Sequence, residues 1–340
     1  MRHPTRWACF LLLTCSAFCA DWNPSLAAHY LDSREKTWFA WPRANTTGVP
    51  CLSCHTTLPY ALARPALRKA LGESARTSYE SGLLDGVRSA LHKPNTKTHQ
   101  VVLGTLLLSL DAARGGTLSA DAEDAFTRLW SLQLQTGEWK GSWEWVDANL
   151  DPWEMPESRF YGATLAALAA GFAPDGYQER AGIRDHISLL KAFLCGAQKT
   201  QPLHNRLSLA WASAKLRGLL SEAEQREILD EALRRQQSDG GWTLESLGAW
   251  KPHPEGPAAR DTSNGYATAV VSFLLEQGGI SHSDAHLVKA LDWLRAHQDP
   301  ESGTWAAASM NHRYEAGSIP LDFMRDAATG YAALALLEGQ

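Results

Sequence analysis

Apolar residues recur at helical spacing along nearly the whole chain from about Arg76 onward. In 98–113 the series Val101, Val102, Leu106, Leu107 and Leu110 lines one face, and in 119–134 Ala125, Leu129 and Leu132 do the same. Ser119 and Asp121 stand where an N-cap and a first-turn acid belong. The same period predicts helices over 157–171, 178–196, 203–217, 221–237, 261–277, 283–297 and 324–338. Shorter ones over 60–71 and 76–91 bring the total to ten to twelve. No stretch sustains strand alternation, so the predicted class is all-α.

The front of the chain carries a different pattern. Arg2, His3 and Arg6 precede the apolar run from Trp7 to Leu13, and the small residues Ser16 and Ala17 follow. That order is the signature of a secretory signal over residues 1–20. Cleavage after Cys19 places Ala17 and Cys19 at the small-residue sites, whereas cleavage after Ala20 places bulky Phe18 there. Lipid attachment at Cys19 is disfavoured by the same Phe18. No later run reaches the roughly 20 apolar residues of a spanning helix. A periplasmic or secreted protein without a transmembrane segment is expected.

A repeat lies inside the helical region. Gln135-Thr-Gly-Glu-Trp139, Gln237-Ser-Asp-Gly-Gly-Trp242 and Gln298-Asp-Pro-Glu-Ser-Gly-Thr-Trp305 each join a glutamine at a helix end to a tryptophan through a turn. A helix opening on small residues and a tyrosine follows each: Tyr161-Gly162, Gly265-Tyr266 and Gly330-Tyr331. The last two share a longer unit, Arg260-Asp261 to Tyr266 and Arg325-Asp326 to Tyr331. Such self-similarity predicts stacked units that bury their apolar faces only against each other.

These glutamine–tryptophan units resemble the repeats of squalene-hopene cyclases and related prenyltransferase-type α/α toroids. The segment from Gln135 to Ala170, with Trp139, Gly141, Trp143 and Tyr161, is the most similar. The resemblance covers roughly residues 80–338 and implies a single toroid of helical hairpins over 76–340. It implies structural roles for the repeat glutamines and tryptophans. The cyclases protonate an alkene with the central acid of a DxDD motif, and neither DxDD nor DDxxD occurs here. The resemblance therefore implies the fold without the familiar acid.

Chemistry of another kind stands ahead of the toroid. Cys51-Leu52-Ser53-Cys54-His55 has the spacing that attaches a c-type haem through two thioethers, with the adjacent imidazole as proximal iron ligand. A redox disulfide would be expected inside a βαβ pattern, and a structural zinc site needs a second ligand pair close by. Neither is present. Once the leader is set aside, Cys195 is the remaining cysteine and reads as a core thiol. The net charge of −5 gives no reason to expect a nucleic-acid partner.

The haem-bearing segment is expected over 21–75 as an irregular extension packed against the toroid. Trp22, Tyr30, Trp38, Phe39 and Trp41, with the apolar residues of the run from Thr56 to Leu67, are read as walls for the porphyrin, and Arg64 and Arg68 as partners for its propionates. No methionine lies between Met1 and Met155, so His29 and His92 are the nearby candidates for a sixth ligand. Met155, Met310 and Met324 are candidates from the toroid. Catalytic candidates are the acids Asp147 and Asp151, which share a tryptophan-rich loop with Glu154, and Asp261 and Asp326. The last two also read as helix caps. If the cavity binds a ligand, Arg260, Asp261, Tyr266, Arg325, Asp326 and Tyr331 are its expected ring.

The leading functional expectation is an exported monohaem c-type cytochrome-like protein that transfers electrons to an unidentified redox partner. Its toroid is read as able to hold a hydrophobic small molecule. One alternative is a catalytic toroid, an isoprenoid cyclase with a non-standard acid or a polysaccharide lyase, in which haem is secondary. Another is a non-catalytic structural protein whose CxxC forms a disulfide.

Overall fold

The computed structural model describes residues 21–45, 50–174, 176–250 and 261–338. The leader over 1–20, with Cys19, and Arg260 lie outside them. Among the described residues there are thirteen α-helices and no strand. The class is all-α, as expected.

Twelve of the helices pair as six hairpins of one outer and one inner helix. The outer helices are α1 (Pro24–Ala40), α3 (Ser78–Leu91), α5 (Ala120–Ser131), α7 (Ile183–Ala197), α9 (Glu222–Arg234) and α12 (Ala285–Ala296). Their inner partners are α2 (Thr57–Ala70), α4 (Thr98–Gly115), α6 (Arg159–Phe172), α8 (Leu203–Lys215), α11 (Gly265–Gln277) and α13 (Phe323–Glu338). The short α10 (Leu244–Leu247) lies in a connection. Neighbouring inner helices pack in the order α4, α6, α8, α11, α13, α2. Gln100 on α4 then reaches Leu52 just ahead of α2, accepting from its N–H at 2.6 Å and donating to its carbonyl at 2.9 Å. The arrangement is compatible with an α/α toroid.

Sequence decides which helices are inner. In α6, α11 and α13 the residues Phe160–Ala170, Gly265–Leu275 and Asp326–Leu336 are all buried, a pattern only a helix surrounded by protein can sustain. Outer helices bury one stripe, such as Ile187, Leu190 and Leu194 on α7. Capping boxes fix two outer starts, Thr77 with Glu80 and Ser221 with Glu224.

Two expectations are corrected here. The segment before residue 75 is not an irregular extension, because α1 and α2 form the first hairpin and α2 packs against α13. At that contact a Cβ on Gly330 would meet the Pro59 ring at 2.6 Å, so glycine lets the two inner helices close up. Cys195 is not a core thiol. It is exposed on α7, one residue beyond the buried Leu194, and its Sγ donates to the Leu219 carbonyl at 2.9 Å.

The repeat proves to be structural, in a register different from the one expected for its first two units: Gln133 and Trp143 take the place of Gln135 and Trp139, and Gln236 takes the place of Gln237. Gln133, Gln236 and Gln298 each donate to the carbonyl of the turn glycine, Gly141, Gly240 and Gly303. Each also donates to a carbonyl at the next outer helix, that of His186, His286 and Asn23 respectively. The matching tryptophans are Trp143, Trp242 and Trp305, whose indole N–H groups bond the Leu129, Ala232 and Leu294 carbonyls at 2.7–2.8 Å. Gln135 and Trp139 are neighbours of the working pair.

Candidate functional site at His55

The CxxCH segment is held between three helices before it enters α2. Trp38 of α1 donates its indole N–H to the Cys51 carbonyl at 2.7 Å, and Gln100 of α4 clamps Leu52. Ser53 starts the helix, its Oγ accepting from the N–H groups of Thr56 at 3.2 Å and Thr57 at 3.0 Å. These bonds fix His55 at the head of an inner helix, near one end of the ring.

The two thiols are unbridged and differ in setting. Cys51 is half-buried, with Sγ accepting from Gln100 Nε2 at 3.1 Å, and burial pushes its thiol up to about 11. Cys54 is buried beside Tyr331, and burial holds its thiol well above the usual range. The Glu154 carboxylate lies close enough to raise both thiols further. Both thiols are thus protonated at neutral pH in the absence of a bound metal.

His55 is 8% exposed. Its ring stacks on Phe323 at 3.7 Å between centroids and meets the Trp38 edge at 5.0 Å. Burial, reinforced by the Arg34 charge, lowers it to about 3, so the imidazole is neutral at pH 7. Nδ1 lies 2.8 Å from Thr56 Oγ1, which donates its proton to Asp326 Oδ2 at 2.6 Å. An ionised carboxylate only accepts, so the Thr56 hydroxyl proton is committed to it and Nδ1–H must be the donor to Thr56. Nε2 keeps its lone pair and has no hydrogen-bond partner among the described residues.

Asp326 anchors this chain of bonds. It is fully buried and accepts from Tyr30 at 2.8 Å, from Arg34 Nε at 2.7 Å and Nη2 at 3.1 Å, and from Thr56. Burial raises its carboxyl to about 6 against the opposing pull of Arg34, Thr56 and Tyr30. It is therefore ionised at pH 7. It lies inside α13 and caps nothing, so the cap reading is corrected.

A cleft of about 80 Å³ opens beside His55. Its walls include Leu150, Trp153, Glu154, Tyr314, Phe323 and Met324. Asp151 joins these walls, its backbone tied in both directions to Asn311 at 3.0 and 2.7 Å. The donor set suits a c-type haem, with one lone-pair imidazole nitrogen and two free thiols. The volume is small beside the roughly 300–1,000 Å³ of an ordinary ligand pocket. The cleft as it stands is too small for a whole porphyrin.

Other expected residues lie elsewhere. Asp147 and Asp261 are exposed. His29 and His92 are exposed and do not line the cleft, whereas Met324 does. Arg64 pairs with Asp32 at 3.0 Å and Glu73 at 2.7 Å, and Arg68 with Glu80 at 3.3 Å. Both arginines are thus engaged in intrachain ion pairs.

The expected cavity ring does not assemble. Tyr266 and Tyr331 meet near the axis with centroids 6.3 Å apart, and the Tyr266 hydroxyl lies 2.8 Å from His204 Nε2. Arg325 turns outward to Asp322 at 2.7 Å. The sequence reading missed Phe323 and Arg34, and it named Tyr30 and Thr56 as haem surroundings without their link to Asp326. The i, i+4 spacing of Tyr30 and Arg34 was the available signal, since it places both on one helix face.

No protein-family model matches this chain, and no curated protein matches it.

Proposed function

We propose that this protein is a monohaem c-type electron carrier built into a toroid resembling those of the squalene-hopene cyclases. The observation that carries the reading is the state of His55. In a CxxCH motif with both thiols free, its Nδ1 is tied down and its Nε2 lone pair is left without a partner.

Cys51 and Cys54 would hold the haem through thioethers, and His55 would ligate its iron from Nε2. A bound haem supplies a one-electron couple at that position. The protein supplies the rest. Phe323 and Trp38 fix the plane of the imidazole, and the Gln100 clamp holds the Cys51–Leu52 backbone. Trp153, Phe323 and Met324 present an apolar wall that keeps water from one side, favouring the less charged oxidation state. Aromatic contacts run from His55 to Trp153 at 6.4 Å and from Trp153 to Tyr266 at 5.4 Å, linking the site to the ring axis.

The cyclase-like alternative finds less support. Two of its four candidate acids are exposed, and Asp326 is committed to Arg34.

Expression with c-type maturation machinery provides the test. A pigmented protein with the pyridine haemochrome of two thioether links, its colour resisting acid acetone, is the expected result. A correctly matured sample that loses its pigment to the solvent would contradict the reading.

A further inference from the structure

We propose that Asp326, acting through the Thr56 hydroxyl, is a positioning residue that sets the tautomer and basicity of His55. This rests on His55 being an iron ligand, as read above.

The geometry allows one direction for the protons. Asp326 sits between three donors that have no other acceptor within the cluster for the same proton: Tyr30 O–H, the Arg34 guanidinium and Thr56 O–H. A buried carboxylate needs pairing, and Arg34 supplies it with two parallel bonds. That pair alone would satisfy the charge. The further short bond from Thr56, at 2.6 Å, adds to the stabilisation of the carboxylate and also fixes the Thr56 lone pair toward His55 Nδ1. His55 is left with one nitrogen that donates and one that is free.

Ligand histidines commonly donate their second N–H to a carboxylate or a carbonyl, which orients the ring and raises its basicity. Here a hydroxyl stands between imidazole and carboxylate. Part of the Asp326 charge is transmitted to the ring, while the carboxylate stays locked to Arg34. A more basic ligand stabilises ferric iron, so loss of the relay should raise the midpoint potential.

The test uses the full chain with Thr56→Val, which removes the hydroxyl and keeps the shape, and Thr56→Ser, which restores it. Nitrogen-15 histidine spectra read the tautomer before haem attachment, and redox titration reads the matured protein. The wild type and T56S should show His55 protonated at Nδ1. T56V should show a mixture of tautomers and a higher midpoint potential, reversed in T56S. Wild-type His55 protonated at Nε2, or a T56V protein matching the wild type in both measurements, would overturn the assignment. A matured sample without haem would overturn the underlying reading instead, and the tautomer spectra would then decide the relay on their own.

Discussion

Gln298 grips Asn23 from both sides, its amide donating to the Asn23 carbonyl at 3.0 Å and its Oε1 accepting the Asn23 N–H at 2.6 Å. The residues are 275 positions apart. Asn23 is also the N-cap of α1, accepting from the N–H groups of Ser25 and Leu26. The last repeat therefore meets the first outer helix as Gln133 meets α7 and Gln236 meets α12, and the ring closes on the hairpin that carries Cys51, Cys54 and His55.

Stability should follow that register. Gln133 is buried and holds two carbonyls, while His186 Nδ1 lies 2.6 Å from its Oε1. Gln133→Ala leaves these groups unpaired and should cost about 2–3 kcal/mol. Gln135 is exposed, and Gln135→Ala should stay within about 0.5 kcal/mol. Denaturant midpoints of the two variants test the assignment. Equal losses would favour the register read from sequence.

The Arg34–Asp326 pair is the second point of leverage. Asp326→Ala leaves the Arg34 guanidinium with only the Asp322 carboxylate at 3.5 Å and the Ile319 carbonyl at 2.9 Å, and should destabilise by about 3 kcal/mol, the low end for a broken buried pair. Replacing both partners, with Arg34→Met and Asp326→Leu, removes the charge problem and should recover a large part of that loss. Urea unfolding of the two single variants and the double variant measures the coupling.

Glu35 predicts a pH dependence. It is fully buried on α1 with no well-formed hydrogen bond at either carboxyl oxygen, and burial, aided by the nearby Asp326 and only weakly opposed by the Thr57 hydroxyl, raises it from 4.5 to about 8. The folded state retains this proton where the unfolded chain has released it. Its contribution is thus complete below pH 4.5 and is lost as pH rises toward 8, at up to about 1.4 kcal/mol per pH unit. Glu35→Gln should match the wild type near pH 4 and exceed it at pH 8. Unfolding midpoints across that range would show parallel curves if Glu35 were ionised throughout.

The sixth iron position offers a spectroscopic comparison. Met324 lines the cleft with His55, while His29 and His92 are exposed away from it. In matured protein, His29→Ala and His92→Ala should leave the absorption spectrum and midpoint potential unchanged, and Met324→Leu should alter both. Loss of a bis-histidine spectrum in either histidine variant would place the ligand elsewhere.

Much of this fold can be read from the sequence because inner helices cannot hide. The runs Phe160–Ala170 and Ala327–Leu336 are mostly small or apolar residues on every side, as their surroundings require. The helix α1 was missed for the opposite reason. Its buried stripe, Ala27, Ala28, Leu31, Glu35 and Trp38, contains a carboxylate, and its Tyr30 and Arg34 are turned to Asp326. The periodic signal is blurred where the helix does chemistry. The CxxCH residues were legible as a motif, but its partners were not. Thr56 and Asp326 are 270 residues apart, and only ring closure brings them together. The first two repeats misled because each offers two glutamines, Gln133 and Gln135 or Gln236 and Gln237, and the first offers two tryptophans as well; spacing alone does not show which glutamine meets the next helix.

The most direct measurement is the intact mass of the mature chain from a host that attaches haem c. The account predicts the polypeptide plus one haem, reduced to the bare polypeptide when Cys51 and Cys54 are both replaced by Ser. A wild-type mass equal to the polypeptide alone, or to the polypeptide less two hydrogens, would contradict it.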